Sequence, residues 1–149
     1  MKQITSLAVA LCLGFAGSAF AADNTAMSKD AYKSAKDRIE EQAKADKKAC
    51  DAMKDNARDV CKAEAKGKEK VAKAELDAQN KPGAKADEKV KLAKADADYD
   101  VAKEKCEDQK GAAQSACKKE AKAVHDKVKA EAKADAKAAD AKMDAKKKS

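Results

Sequence analysis

Apolar residues recur every three or four positions along most of this chain, which is the spacing of one face of an α-helix. The clearest stripe is Leu92, Ala95, Tyr99, Ala102 and Cys106. A second stripe with this spacing follows a Lys-Gly turn signal at Gly111 and consists of Cys117, Ala121, Val124, Val128 and Ala132. The pattern predicts two antiparallel helices, the first beginning near Ala84 and stopping at Gly111.

The first half of the chain carries a thinner stripe with similar spacing. Its members are Tyr32, Ala35, Ile39, Ala43, Cys50 and Met53, with Asp46 interrupting them. Ser28 is predicted to cap this helix, and Asn56 is predicted to cap a second helix that begins near Ala57. The second helix must end near residues 80–83, because Pro82 lacks the backbone N–H that a helix interior requires.

Two similar segments organise the chain, and each is bounded by two cysteines with ten residues between them. Cys50 and Cys61 bound the first, and Cys106 and Cys117 bound the second, 56 positions later. On one continuous helix, eleven positions rise about 16 Å, whereas a disulfide requires Cα atoms about 4.4–6.8 Å apart. An intrachain bond within either segment therefore requires the turn.

With a turn at the middle of the second segment, the two stripes face each other. Tyr99 then lies opposite Val124, and Ala95 lies opposite Val128, while the alanines allow close approach. This register favours Cys50–Cys61 and Cys106–Cys117 bonds. Bonds between the hairpins, such as Cys50 with Cys106 or with Cys117, are also compatible with the sequence.

The predicted fold is therefore all-α, with two tandem helical hairpins, each clamped by a disulfide. Residues 22–80 form the first hairpin, residues 81–83 the linker and residues 84–131 the second hairpin. Residues 132–149 contain almost only Ala, Lys and Asp, and we expect this low-complexity tail to fray.

Residues 1–21 have the organisation of a secretory signal peptide. Lys2 is the basic start, residues 7–17 are apolar, and residues 19–21 read Ala-Phe-Ala, a typical cleavage site. This signal predicts that the chain is exported to the periplasm and that no membrane span remains after cleavage. Cleavage also removes Cys12 and leaves four cysteines, an even number that favours disulfides in an oxidising compartment.

The composition leaves little material for an ordinary core. Aromatic residues are 3% of the chain and charged residues 41%, with acids and bases interspersed. After residue 21, only fourteen apolar side chains are larger than alanine, cysteine apart. Burial of a large side chain contributes roughly 1.5–3 kcal/mol. Helix propensity and covalent links must therefore supply much of the stability.

No residue pattern indicates catalysis or a cofactor. Metal sites usually have two to four residues between their cysteines, whereas ten residues lie between these, so we predict no metal ligands. His125 is expected to be a solvated side chain on a polar helix flank. Carboxylate pairs such as Asp96 and Asp100 are expected to be solvated as well, which gives no reason for a raised pKa. An exported chain also has no nucleic acid to bind.

The Cys50–Lys66 run and its second copy resemble small secreted Lys/Ala-rich proteins of Gram-negative bacteria that are described as TolA-like or as cell-envelope biogenesis proteins. The likeness covers about residues 36–135. To TolA itself the similarity lies only in composition, because its long helical region is also rich in Ala, Lys, Asp and Glu. TolA's partners and role are not carried over to this chain. The export signal, the tandem hairpins, the solvated mixed-charge helices and the lack of a recognisable pocket favour a non-catalytic, soluble, envelope-associated structural or interaction module, with envelope components or another helical protein as partners. The alternative is a protein that binds a polyanion, or that binds a soft metal such as Cu(I) through reduced cysteines.

Overall fold

The computed structural model describes residues 27–148 and confirms the all-α fold class. Four α-helices follow one another: α1 Lys29–Ala49, α2 Asp55–Asn80, α3 Ala84–Cys106 and α4 Gly111–Lys148. A single 3₁₀ turn, Cys50–Ala52, lies between α1 and α2. The predicted signal peptide, residues 1–21, lies outside the described residues.

The helices form an antiparallel row and not a closed bundle. α1 packs on α2, α2 on α3, and α3 on α4, and no other pair of helices makes contact within residues 27–148. The α2–α3 contact is as much a part of the row as the two hairpins that the cysteines indicated. Both disulfides therefore lie at one end of the row, and the turn at residues 80–83 lies at the other.

The buried core of the described residues consists mainly of alanine. Eight of its eleven members are alanines, and the other three are Leu76, Cys50 and Cys106. The alanines are Ala43, Ala63, Ala65, Ala93, Ala95, Ala97, Ala132 and Ala136. Of the larger side chains, Leu76 alone joins this core, because the close spacing of the helices leaves room mostly for methyl groups.

Each of the two inner helices is buried on opposite faces. Gly67 of α2 faces Ala97 of α3. A helix advances about 100° per residue, so Ala63 shares the face of Gly67, whereas Ala65 lies on the opposite side with Cys61, which is bonded to α1. In α3, Ala97 likewise faces α2, and Ala95 lines the groove towards α4.

One predicted helix cap is confirmed and one is wrong. Ser28 caps α1, since its hydroxyl accepts a hydrogen bond from the backbone N–H of Ala31 at 3.2 Å. Asn56 does not cap α2, which begins one residue earlier at Asp55. Its side-chain amide instead donates to the backbone carbonyl of Glu104 at 2.8 Å, because the start of α2 lies beside the last turn of α3. The same carbonyl also accepts a hydrogen bond from the backbone N–H of Glu107 at 3.0 Å.

Helix α4 extends well past Glu131, where the sequence suggested that a frayed tail begins. Ala132 is 2% exposed and Ala136 is 7% exposed, and the ammonium group of Lys91 on α3 lies 2.7 Å from the carboxylate of Asp135. The physical reason is that α3 is long enough to cover this part of α4. An alanine every fourth residue is then sufficient to continue the seam.

Candidate functional site

The structure joins the cysteines in the local pairing. Cys50 is bonded to Cys61 with their Cα atoms 5.6 Å apart, and Cys106 to Cys117 with a separation of 5.7 Å. The bonds between hairpins that the sequence left open are not formed. Cys50 and Cys106 are each 1% exposed, which places one sulfur of each bridge inside the row. The disulfides therefore fasten neighbouring helices at one end.

An ion pair accompanies each disulfide and repeats with the same 56-residue period. The ammonium group of Lys62 lies 2.8 Å from the carboxylate of Asp51, and that of Lys118 lies 2.6 Å from Glu107. The hydrogen bond from Lys62 lowers the pKa of Asp51. The two hairpins thus share a disulfide and an ion pair.

His125 is not a solvated side chain, so this expectation was wrong. Its side chain is 11% exposed, and its Nε2 atom lies 2.7 Å from a carboxylate oxygen of Asp96 on α3. Its ring stacks on that of Tyr99 with centroids 4.7 Å apart. The Tyr99–Val124 register, which the sequence did predict, places residue 125 at the α3–α4 contact. Hydropathy alone gave no such signal.

Asp96 links three helices through this histidine. It receives a hydrogen bond from Lys70 of α2 at 2.7 Å as well as its contact with His125 of α4. These two partners, Lys70 first, lower the pKa of the Asp96 carboxyl. The recorded polar contacts of His125 are with Asp96 and Asp126. The group therefore links α2, α3 and α4, because Lys70 and His125 lie on the two helices that flank Asp96.

An ionic network connects α1 with α2. The carboxylate of Glu69 accepts hydrogen bonds from Lys47 at 2.6 Å and from Lys73 at 2.8 Å, and Lys73 also lies 3.0 Å from Glu40. Hydrogen bonds from Lys47 and then Lys73 lower the pKa of Glu69 to about 2. Glu69 is therefore ionised throughout the physiological pH range.

A groove with a volume of about 580 Å³ lies between α3 and α4. The Cys106–Cys117 disulfide closes one end of it. Its apolar lining is Ala95, Tyr99, Ala102, Ala121, Val124 and Val128. These are the residues that the predicted register placed opposite one another, so the facing stripes are confirmed. They enclose a groove because alanine fills little of the space between helices.

Two further properties concern residues 27–148 only. No group of three or more His, Cys, Asp or Glu side chains in this range is arranged to hold a metal ion. None of its helices combines the length and the hydropathy needed to cross a bilayer.

Comparison with known proteins identifies no relative. No family model, no curated protein and no solved structure matches this chain. The function must therefore be argued from the residues and the fold.

Proposed function

We propose that this chain is a non-catalytic periplasmic protein that acts through its surface and shape, as an envelope-associated structural or interaction module. The resemblance to TolA-like envelope proteins belongs to this proposal. So does export through a cleaved signal peptide, with which the two disulfides are consistent, since such bonds persist in oxidising compartments.

The observation that carries the proposal is the open row of helices locked at one end by disulfides. Because α1 and α4 do not meet, both broad faces of the row are presented to the surroundings. An alanine core lets a chain with few large apolar residues keep such an extended surface. Of the larger apolar side chains, Val124 is 59% exposed and is therefore available to a partner.

The second candidate is binding of a polyanion or a soft metal. Metal binding through the four cysteines would need both bridges to be reduced, because each sulfur is part of a disulfide. Polyanion binding has more support, since unpaired lysines converge on one groove between α1 and α2.

The test is to express the full chain with a C-terminal epitope tag in a Gram-negative host and to release the periplasm osmotically. We expect the shortened, oxidised protein in the released fraction. A photo-crosslinking residue at Val124 should then capture an envelope component, whereas the same residue at Glu41, which is exposed on α1 and away from α4, should not. Retention in the cytoplasm would refute the proposal, and so would stoichiometric metal bound by Cys50, Cys61, Cys106 and Cys117 in the purified protein.

A further inference from the structure

A groove between the end of α1 and the start of α2 is surrounded by five lysines. Its volume is about 430 Å³. Its lining consists of Lys44, Lys47, Lys48, Asp51, Lys62 and Lys66. The aliphatic stems of lysine can form the walls while the ammonium groups remain at the rim. The groove is thus bordered by positive charge from both helices.

Two of these lysines have anionic partners and three do not. Lys47 pairs with Glu69 at 2.6 Å, and Lys62 pairs with Asp51 at 2.8 Å. Among the ion pairs of the described residues, none involves Lys44, Lys48 or Lys66. The lining therefore carries five ammonium groups against the single carboxylate of Asp51, which is a local excess of positive charge.

The spacing of these lysines is unfavourable for an empty groove. Lys44 and Lys48 are four residues apart on α1, and Lys62 and Lys66 are four residues apart on α2. Like charges at this spacing repel each other on a helix surface. Since the disulfide Cys50–Cys61 holds the two helices side by side, the ammonium groups of both helices share one groove, and only the flexible lysine stems can move them apart. A bound anion would relieve this repulsion.

The second hairpin shows that the fold does not require this arrangement. The positions 56 residues after Lys44 and Lys48 are Asp100 and Glu104. The second hairpin keeps the disulfide and the neighbouring ion pair but carries acids where the first carries lysines.

Lys66 is also left without the partner that its counterpart has. The counterpart is Lys122, which pairs with Asp126 at 2.6 Å. The position equivalent to Asp126 in the first hairpin is Lys70, which pairs with Asp96 of α3. The equivalent positions of the second hairpin are therefore acidic or paired with an acid, so the excess of positive charge in this groove is not repeated there.

We propose that the groove lined by Lys44, Lys48 and Lys66 is a binding site for phosphate-bearing anions. The inference deepens the proposed function and rests on it, because it gives the envelope module a surface and a class of ligand. Ammonium groups from two helices can surround a phosphoryl group. Lys47 and Lys62 neutralise the nearby carboxylates of Glu69 and Asp51, which would otherwise repel the anion. Either a phospholipid headgroup or a soluble phosphate supplies this chemistry.

The test uses the purified, oxidised mature chain and two probes at low ionic strength. Sodium tripolyphosphate is titrated by calorimetry, and vesicles of phosphatidylcholine with phosphatidylglycerol are co-sedimented with the protein. The variant K44D/K48E copies the second hairpin into the first. The variant K133D/K137E is the control, because it makes the same change of charge at exposed positions four residues apart on α4.

We expect K44D/K48E to weaken binding at least tenfold and K133D/K137E to change it less than threefold. Binding by the unaltered chain should also weaken as salt is added. Binding of triphosphate without vesicles would indicate a soluble ligand, and vesicle binding that triphosphate displaces would indicate a headgroup. Equal weakening in the two variants, or no binding of either probe, would overturn the proposal.

The stability of the variants separates a binding role from a structural one. If the lysines bind an anion, K44D/K48E should melt no lower than the unaltered chain, because it removes repulsion between like charges. The neutral variant K44Q/K48Q should also melt no lower than the unaltered chain, and it should bind both probes more weakly. Loss of helicity in both variants would mean that the lysines maintain the fold. Because these measurements use purified protein, their failure would leave the periplasmic assignment standing.

Discussion

Gly67 of α2 faces Ala97 of α3 so closely that a Cβ atom added to the glycine would lie 2.8 Å from the Cβ atom of the alanine. Cβ atoms do not approach one another so closely, and neither of these side chains has a flexible end that could move away. The methyl group of Ala97 therefore packs against the backbone of α2 at Gly67. The glycine sets the distance between the two helices.

Replacing Gly67 by alanine tests this contact. Alanine favours an exposed helix over glycine by about 1 kcal/mol, but overpacking a tight contact costs about 1–3 kcal/mol. Since α2 and α3 would have to move apart, we expect Gly67→Ala to lower the free energy of unfolding by up to about 2 kcal/mol, the difference between the two effects. Chemical denaturation followed by circular dichroism measures the change.

The double variant G67A/A97G provides the control, because it moves the methyl group from one helix to the other. It should recover most of the lost stability, which would give a large coupling energy in a double-mutant cycle. Independent effects of the two substitutions would show that the helices do not meet at this point.

The packing of α2 on α3 was not predicted from the sequence, whereas the two hairpins were. The cysteine spacing fixed the register of each hairpin, and the groove between α3 and α4 confirms the pairing of Tyr99 with Val124. A search for one apolar stripe per helix cannot detect a helix that is buried on two sides. The alternation Ala63, Ala65, Gly67 is the signal for such a helix, because alternate residues lie on opposite faces.

The site at His125 was missed for a related reason. Histidine counts as polar in any hydropathy pattern, so the sequence alone suggested a solvated flank. Its burial follows from the aromatic ring of Tyr99 and the carboxylate of Asp96 across the α3–α4 contact. The lysine groove was missed because its charges come from two helices and are separated by the turn in the sequence. Only the hairpin geometry brings them together.

The disulfides should account for much of the stability. A bridge that closes a loop of this length contributes roughly 3 kcal/mol by restricting the unfolded chain, which is large for a core made mostly of alanine. We expect C50S/C61S and C106S/C117S each to lower the melting temperature by several degrees or more, and the fourfold variant to lower it further. Melting followed by helical circular dichroism measures the effect.

Reductant should reproduce the loss in the unaltered chain and have no effect on the variant that lacks all four cysteines. The transition should also become broader, since isolated helices unfold with little cooperativity. A melting curve that is the same with and without reductant would show that the bridges are incidental to the fold.

Glu69 should make the stability of the α1–α2 hairpin depend on acid. Its pKa is about 2 in the folded chain and near the ordinary 4.5 when unfolded. A lowered folded pKa means that the contribution is fully present above pH 4.5 and is lost as the pH falls towards 2. Because the side chain is 20% exposed, we expect a contribution of about 1–2 kcal/mol.

The measurement is the free energy of unfolding between pH 7 and pH 2 for the unaltered chain and for Glu69→Gln. The variant should be less stable at neutral pH and should lose less stability on acidification. Glu41→Gln is the control, because Glu41 is exposed on α1. If Glu69→Gln and Glu41→Gln gave the same pH dependence, the network of Lys47, Glu69 and Lys73 would not contribute to stability.

Truncation of α4 tests whether its C-terminal part is packed. Ala132 and Ala136 are buried, and with Asp135 and Ala139 they border a small cavity against the start of α3. Residues 141–147 are exposed throughout. Deleting residues 141–149 should therefore leave the free energy of unfolding nearly unchanged. Deleting residues 132–149 removes two buried alanines and the Lys91–Asp135 ion pair, and should lower that free energy by about 1–3 kcal/mol.

The two truncations can be compared by denaturation and by hydrogen exchange at the start of α3. Loss of residues 132–149 should speed exchange in the first turns of α3, because these turns would lose their cover from α4. The shorter truncation should leave exchange there unaltered. If both truncations had the same small effect, the segment beyond Glu131 would not be packed on α3. The predicted fraying would then describe this segment better than the alanine seam does.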